Sequence, residues 1–137
     1  MKKIITLIFI LTLILPLAAQ SSVVPYKKIN INDIEGVIFQ SIKSKNSFIP
    51  SDSEIKNFEC KIKDKGKSYN DYVRQYIGII INNRKYIITL FIHKRVADGI
   101  LWEKEFITVE GGGDNYINVK YDIAEDRIIY FYENAVE

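Results

Sequence analysis

Residues 72–95 read YVRQYIGIIINNRKYIITLFIHKR, two runs of Ile, Tyr, Val and Phe around the polar tetrad Asn82-Asn83-Arg84-Lys85. β-Branched and aromatic side chains fit a pleated surface and Asn tolerates positive φ, so this pattern specifies a β-hairpin. Strand side chains alternate between faces, and a two-residue tip keeps the facing sets together. With Asn82-Asn83 or Asn83-Arg84 at the tip, Val73, Gln75, Ile77, Ile79 and Ile81 share a face with Tyr86, Ile88, Leu90 and Ile92. That face is nearly all apolar and is the expected core. The other face is mixed, aromatic and partly cationic. Its Tyr72, Arg74, Tyr76, Phe91 and His93 are the candidate ligand or partner surface.

The N-terminus has its own logic. Met1-Lys2-Lys3, an apolar run over residues 4–17 and Ala18-Ala19 are the three parts of a secretory signal peptide. They predict cleavage after Ala19 and a secreted or periplasmic mature protein. A membrane span needs about 20 apolar residues, so an integral membrane protein is not expected. Of 19 Lys and Arg, Lys2 and Lys3 leave with this segment, and the rest balance 17 Asp and Glu. A neutral chain without a basic stripe argues against nucleic acid as a partner. Removing residues 1–19 from 137 leaves 118, enough for one domain with a core and too few for two.

Residues 20–31 are polar, carry Pro25, and read as a mobile leader; residues 32–137 then form one domain. Asn32 or Asp33 can cap a helix whose stripe is Ile34, Val37, Ile38 and Ile42. Ser51 and Glu54 have capping-box spacing, with Ile55, Phe58 and Ile62 following on one helical face. Period two competes there, since a strand would put Phe58, Cys60 and Ile62 together. The cap and the straight-chain Lys and Glu residues favour the helix, which leaves Cys60 exposed. Beyond the hairpin, 102–109 is a strand candidate diluted by Glu103, Lys104 and Glu105. Ile117, Val119 and Tyr121 then alternate with polar residues, and 127–133 forms a last strand. The sum is an α+β domain, one or two N-terminal helices packed on one face of a four-stranded antiparallel meander, with the other face free.

Three stretches carry a family resemblance: Phe48-Ile49-Pro50-Ser51, Tyr72-Val73-Arg74-Gln75-Tyr76-Ile77-Gly78, and Gly112-Gly113-Asp114-Asn115-Tyr116 running on to Tyr121-Asp122, the last offset by one residue. Over residues 48–134 the chain resembles small uncharacterised secreted bacterial proteins, a resemblance that implies no assigned activity. The architecture also resembles the cystatin fold. Cystatins inhibit proteases through a Q-x-V-x-G hairpin tip, whereas Gln75-Tyr76-Ile77-Gly78 has another spacing and lies inside a strand, so inhibition does not carry over.

Nucleophilic catalysis needs a nucleophile, a base and an orienting group in reach, and the chain has one His, His93, and one Cys, Cys60. Two such residues make neither a motif nor a four-ligand zinc site, so no catalytic residue, metal or cofactor is assigned. Gly111-Gly112-Gly113 lacks the Gly-Lys-Ser/Thr of a phosphate loop and reads as a turn. The expected function is an exported non-enzymatic binding or inhibitory module of the cell envelope, with an envelope or extracellular protein as partner. A second reading is a small cavity-type enzyme using the open sheet face. An exposed Cys60 adds a slow disulfide-linked dimer under oxidising conditions.

The export expectation is checked by mass spectrometry of the protein recovered from cells. A chain starting within a residue or two of Gln20 is the expected outcome, and an intact Met1 in the membrane fraction refutes it.

Overall fold

In the computed structural model, residues 22–66 and 69–136 are described, and seven strands form one mixed sheet. The signal peptide expected over residues 1–19 lies outside them. Strands β1 (Val23–Ile31) and β2 (Ile34–Ser41) form a hairpin, followed by the short β3 (Ser47–Phe48) and the helix α1 (Asp52–Lys63). Strands β4 (Tyr72–Ile81) and β5 (Arg84–His93) are the central hairpin, and one turn of helix, α2 (Lys94–Ala97), follows it. After an irregular stretch come β6 (Tyr116–Asp122) and β7 (Arg127–Glu133). The sheet runs β1-β2-β4-β5-β6-β7, with β3 beside the far half of β4.

The central hairpin forms in the expected register. Asn82 and Asn83 both have positive φ, 50° and 62°, and Ile81 faces Arg84. A tip of this hand matches strand twist, which is why Asn is favoured there.

The expected helix-packed, four-stranded meander is overturned, and the cystatin-like architecture with it. Among the described residues only one helix is longer than a turn, and the sheet has seven strands instead of four. Asn32 and Asp33 do not cap a helix. Their φ values of 51° and 66° make them the tip of the β1–β2 hairpin, so residues 23–31 of the stretch read as a leader are a strand. Ile34, Val37 and Ile38 fit a helical stripe because β2 is covered on both faces and shows no polar alternation. Val37 and Phe39 pack to one side and Ile38 to the other. Segment 102–109 is not a strand either.

Strand β2 runs parallel to β4, pairing Gly36–Phe39 with Arg74–Ile77, so the chain must cross over between them, and α1 is that crossover. Ser51 starts α1 with a complete capping box: its hydroxyl accepts from the Glu54 amide at 3.1 Å, and its own amide donates to the Glu54 carboxylate at 3.0 Å. Ile55, Phe58, Glu59 and Ile62 point inward and Cys60 outward. No helix among the described residues is long and apolar enough to cross a membrane.

The helix covers the face expected to be free. Tyr72, Tyr76, Ile87 and Phe91 join Ile55, Phe58 and Ile62 in one core. The face expected to lie under helices holds a second core of Val37, Phe39, Val73, Leu90 and Ile92, roofed by Ala97 and Trp102. Its lower rows stay partly open, with Ile79 and Ile88 half-buried and Ile81 42% exposed. An alternating strand declares two faces but not which one the crossover helix takes.

Exchange of the faces gives a measurable contrast in denaturant unfolding. Ile87→Ala, at a position with no exposure, should cost about 2–5 kcal/mol, whereas Ile81→Ala should cost about half a kcal/mol. Equal losses would mean that α1 lies on the other face.

Candidate binding groove

Four of the five residues picked from the sequence lie beneath α1, not on a surface. Tyr72, Arg74, Tyr76 and Phe91 are buried, and Arg74 has no exposure at all. Its guanidinium donates to both carboxylate oxygens of Glu59, from Nε at 3.0 Å and Nη2 at 3.3 Å. Nη1 donates to the carbonyls of Tyr69 (3.1 Å) and Tyr72 (2.8 Å), and the group stacks 3.7 Å from the Phe91 ring centre. Tyr76 donates its hydroxyl to Glu59 at 2.7 Å. Burial pushes the Tyr76 hydroxyl well above the ordinary tyrosine value; the Glu59 charge adds to the rise and Arg74 opposes it. The cluster is charge-balanced and hydrogen-bonded, which is how a buried ion pair is tolerated.

His93 is half-buried at the end of β5. Its Nδ1 accepts from the Arg95 amide at 3.1 Å, capping α2, and its ring sits 4.8 Å from that of Tyr72. Cys60 lies on the outer face of α1, so the two do not form a nucleophile–base pair. Among the described residues no group of three or more His, Cys, Asp or Glu is placed to hold a metal.

The second face is shaped by the irregular segment 98–112, which lies across it as a strap. Gln75, fully buried, staples the strap down: Nε2 donates to the carbonyls of Trp102 (2.6 Å) and Glu105 (2.7 Å), and Oε1 accepts from the Ile107 amide at 2.8 Å. Phe106 packs edge-on against Phe39 at 5.4 Å. At the far end Asn134 donates to the Val109 carbonyl at 3.0 Å. The strap closes the rows of Val73 and Ile92 and leaves the β5–β7 end of the sheet uncovered.

Cross-strand register orders that open half. Leu90 faces Asn118, which faces Tyr132; one row further, Ile88 faces Lys120, which faces Tyr130. Between these rows and the strap runs a groove of about 450 Å³, bordered by Leu90, Phe106, Val109, Asn118, Tyr132 and Asn134. Asn118 donates to the Asn134 side-chain oxygen at 2.7 Å, so the two amides hold each other and the strap. Tyr130 and Tyr132 are neighbours at 5.5 Å, with Tyr132 53% exposed. Lys120 lies 4.5 Å from the Tyr86 ring centre.

Sequence reasoning missed Asn118, Tyr130, Tyr132 and Asn134. The available signal was period two in β7, which puts Tyr130 and Tyr132 on one face two residues apart. No family model, curated protein or solved structure matches the chain.

The buried tyrosines set an alkaline limit. Tyr121 is raised like Tyr76, by burial and by its hydrogen bond to Asp126. A hydroxyl held above its unfolded value keeps its proton longer in the native state, so stability is full below about pH 10 and falls as pH rises from there. Urea midpoints should therefore drop between about pH 8 and about pH 10.5. Tyr76→Phe should flatten part of that fall, leaving the share due to Tyr121. An unchanged slope in Tyr76→Phe would show that the buried hydroxyl is not the source.

Proposed function

We propose that this chain is an exported, non-enzymatic binding module of the cell envelope, and that its ligand sits on the open half of the second sheet face. One observation carries the proposal: a pair of exposed tyrosines beside a preformed groove, on strands whose opposite face is locked under a helix. Exposed aromatic side chains on a rigid frame supply contact area at little entropic cost and are enriched at binding hot spots. The signal-peptide pattern of the first 19 residues supports export, as does the resemblance to small secreted bacterial proteins. The separation of Cys60 from His93 favours binding over nucleophilic chemistry.

The test is retention of envelope extract on the immobilised mature chain, with Tyr132→Ala and Tyr130→Ala as comparisons. Both positions are substantially exposed, so thermal unfolding should barely move while retention falls about tenfold, the mark of a hot-spot loss near 1.4 kcal/mol. Wild-type retention in both variants, with the fold intact, would remove the groove as the site.

A further inference from the structure

We infer that the groove takes a neutral oligosaccharide, an inference that rests on the binding-module reading and names its ligand class. No Lys, Arg or His lines the groove itself, and Lys120, one row away beside Tyr130, lies against the Tyr86 ring. Of its two carboxylates, Glu133 stands opposite Ile117, a residue of the helix-side core, and its charge acts on Tyr72. Its side chain is therefore on the other face. Glu110, on the exposed rim, is the only carboxylate left to the groove and has no ion pair among the described residues.

The polar groups that remain are of both kinds. Asn118 and Asn134 each commit one amide hydrogen, to Asn134 and to the Val109 carbonyl, which leaves the second hydrogen of each and the Asn118 oxygen for a ligand. The Glu110 carboxylate adds acceptors. Hydroxyl groups donate and accept at once, so a polyol satisfies all of these. A proline-rich segment offers carbonyl acceptors and few donors, and would leave Glu110 and the Asn118 oxygen unpaired.

The apolar part agrees. The negative face of an aromatic ring attracts the C–H groups of a pyranose, and Tyr132, directly opposite Asn118, lines the same groove as the two amides. Addition of a peptide strand is disfavoured at both sheet edges. Strand β7 is interrupted by a bulge at Ile129, and β1 carries Pro25, Lys27, Lys28 and a bulge of its own.

The experiment titrates the isotope-labelled mature chain with linear tetrasaccharides of glucose and of N-acetylglucosamine, followed through the side-chain amide signals of Asn118 and Asn134. Saturable shifts with at least one sugar are expected. Tyr132→Ala should weaken binding about tenfold, while Tyr132→Phe keeps the ring and the affinity. Should Tyr132→Ala fail to fold, Glu110→Gln on the exposed rim provides the same comparison. Silence with both sugars overturns the inference, as does an equal shift with a proline-rich decapeptide. A shift on concentrating the protein alone also overturns it, since the occupant is then a second copy. If the sugars fail while Tyr132-dependent retention of envelope material persists, only the ligand class falls; if both fail, the binding-module reading falls too.

Discussion

The ion pair between Arg74 and Glu59 joins the helix to the sheet, and the rest of the structure is arranged around it. Arg74 stands on the central strand β4 and Glu59 on the inner face of α1, and both are buried. Four of the five guanidinium hydrogens find acceptors at 2.8–3.3 Å. The carboxylate accepts a third bond from Tyr76. Removing one member of such a pair leaves a buried charge unpaired, at about 3–5 kcal/mol, so the pair fixes where the helix sits along the strand. Gly36 on β2 belongs to the same arrangement: a Cβ there would come 2.5 Å from the Tyr76 ring and 3.2 Å from the Arg74 Cβ.

With one face committed to α1, the second is covered by a strap without regular structure. Such a segment has no strand ladder for its backbone groups; local turns satisfy some of them and Gln75 satisfies three more. The strap is too short to reach across all of the sheet. Its edge and the uncovered ends of β5, β6 and β7 make the groove, so the open surface follows from the way the second core is closed. Tyr130 and Tyr132 stay partly exposed there, packed on each other at the edge of that groove.

How much was legible can be judged residue by residue. The Asn82-Asn83 hairpin and the Ser51–Glu54 cap are local devices, and both form as their sequences dictate. Asn32-Asp33 was ambiguous because short polar side chains serve helix caps and tight turns alike. Glu59 was open to recognition: four residues after Ile55 and three before Ile62, it shares their helical face, and a carboxylate there demands a cation across the core. The open tyrosines of β7 were visible as a period-two pair, but not as exposed ones, since exposure depends on where the strap ends.

By itself the sequence determined the local elements: the central hairpin and its register, the start and inner face of α1, and the division of β4, β5 and β6 into two faces. These depend on backbone sterics, capping hydrogen bonds and side-chain alternation, which act over a few residues. Only the tertiary structure decided that β1 and β2 are strands, that α1 covers the Arg74 face, and that the groove opens on the other. Those outcomes depend on the parallel pairing of β2 with β4 and on contacts between residues as far apart as Gln75 and Ile107. The more uniformly apolar face of the central hairpin did not take the helix, and the pairing of Arg74 with Glu59, which no pattern within one strand contains, goes with the face that did.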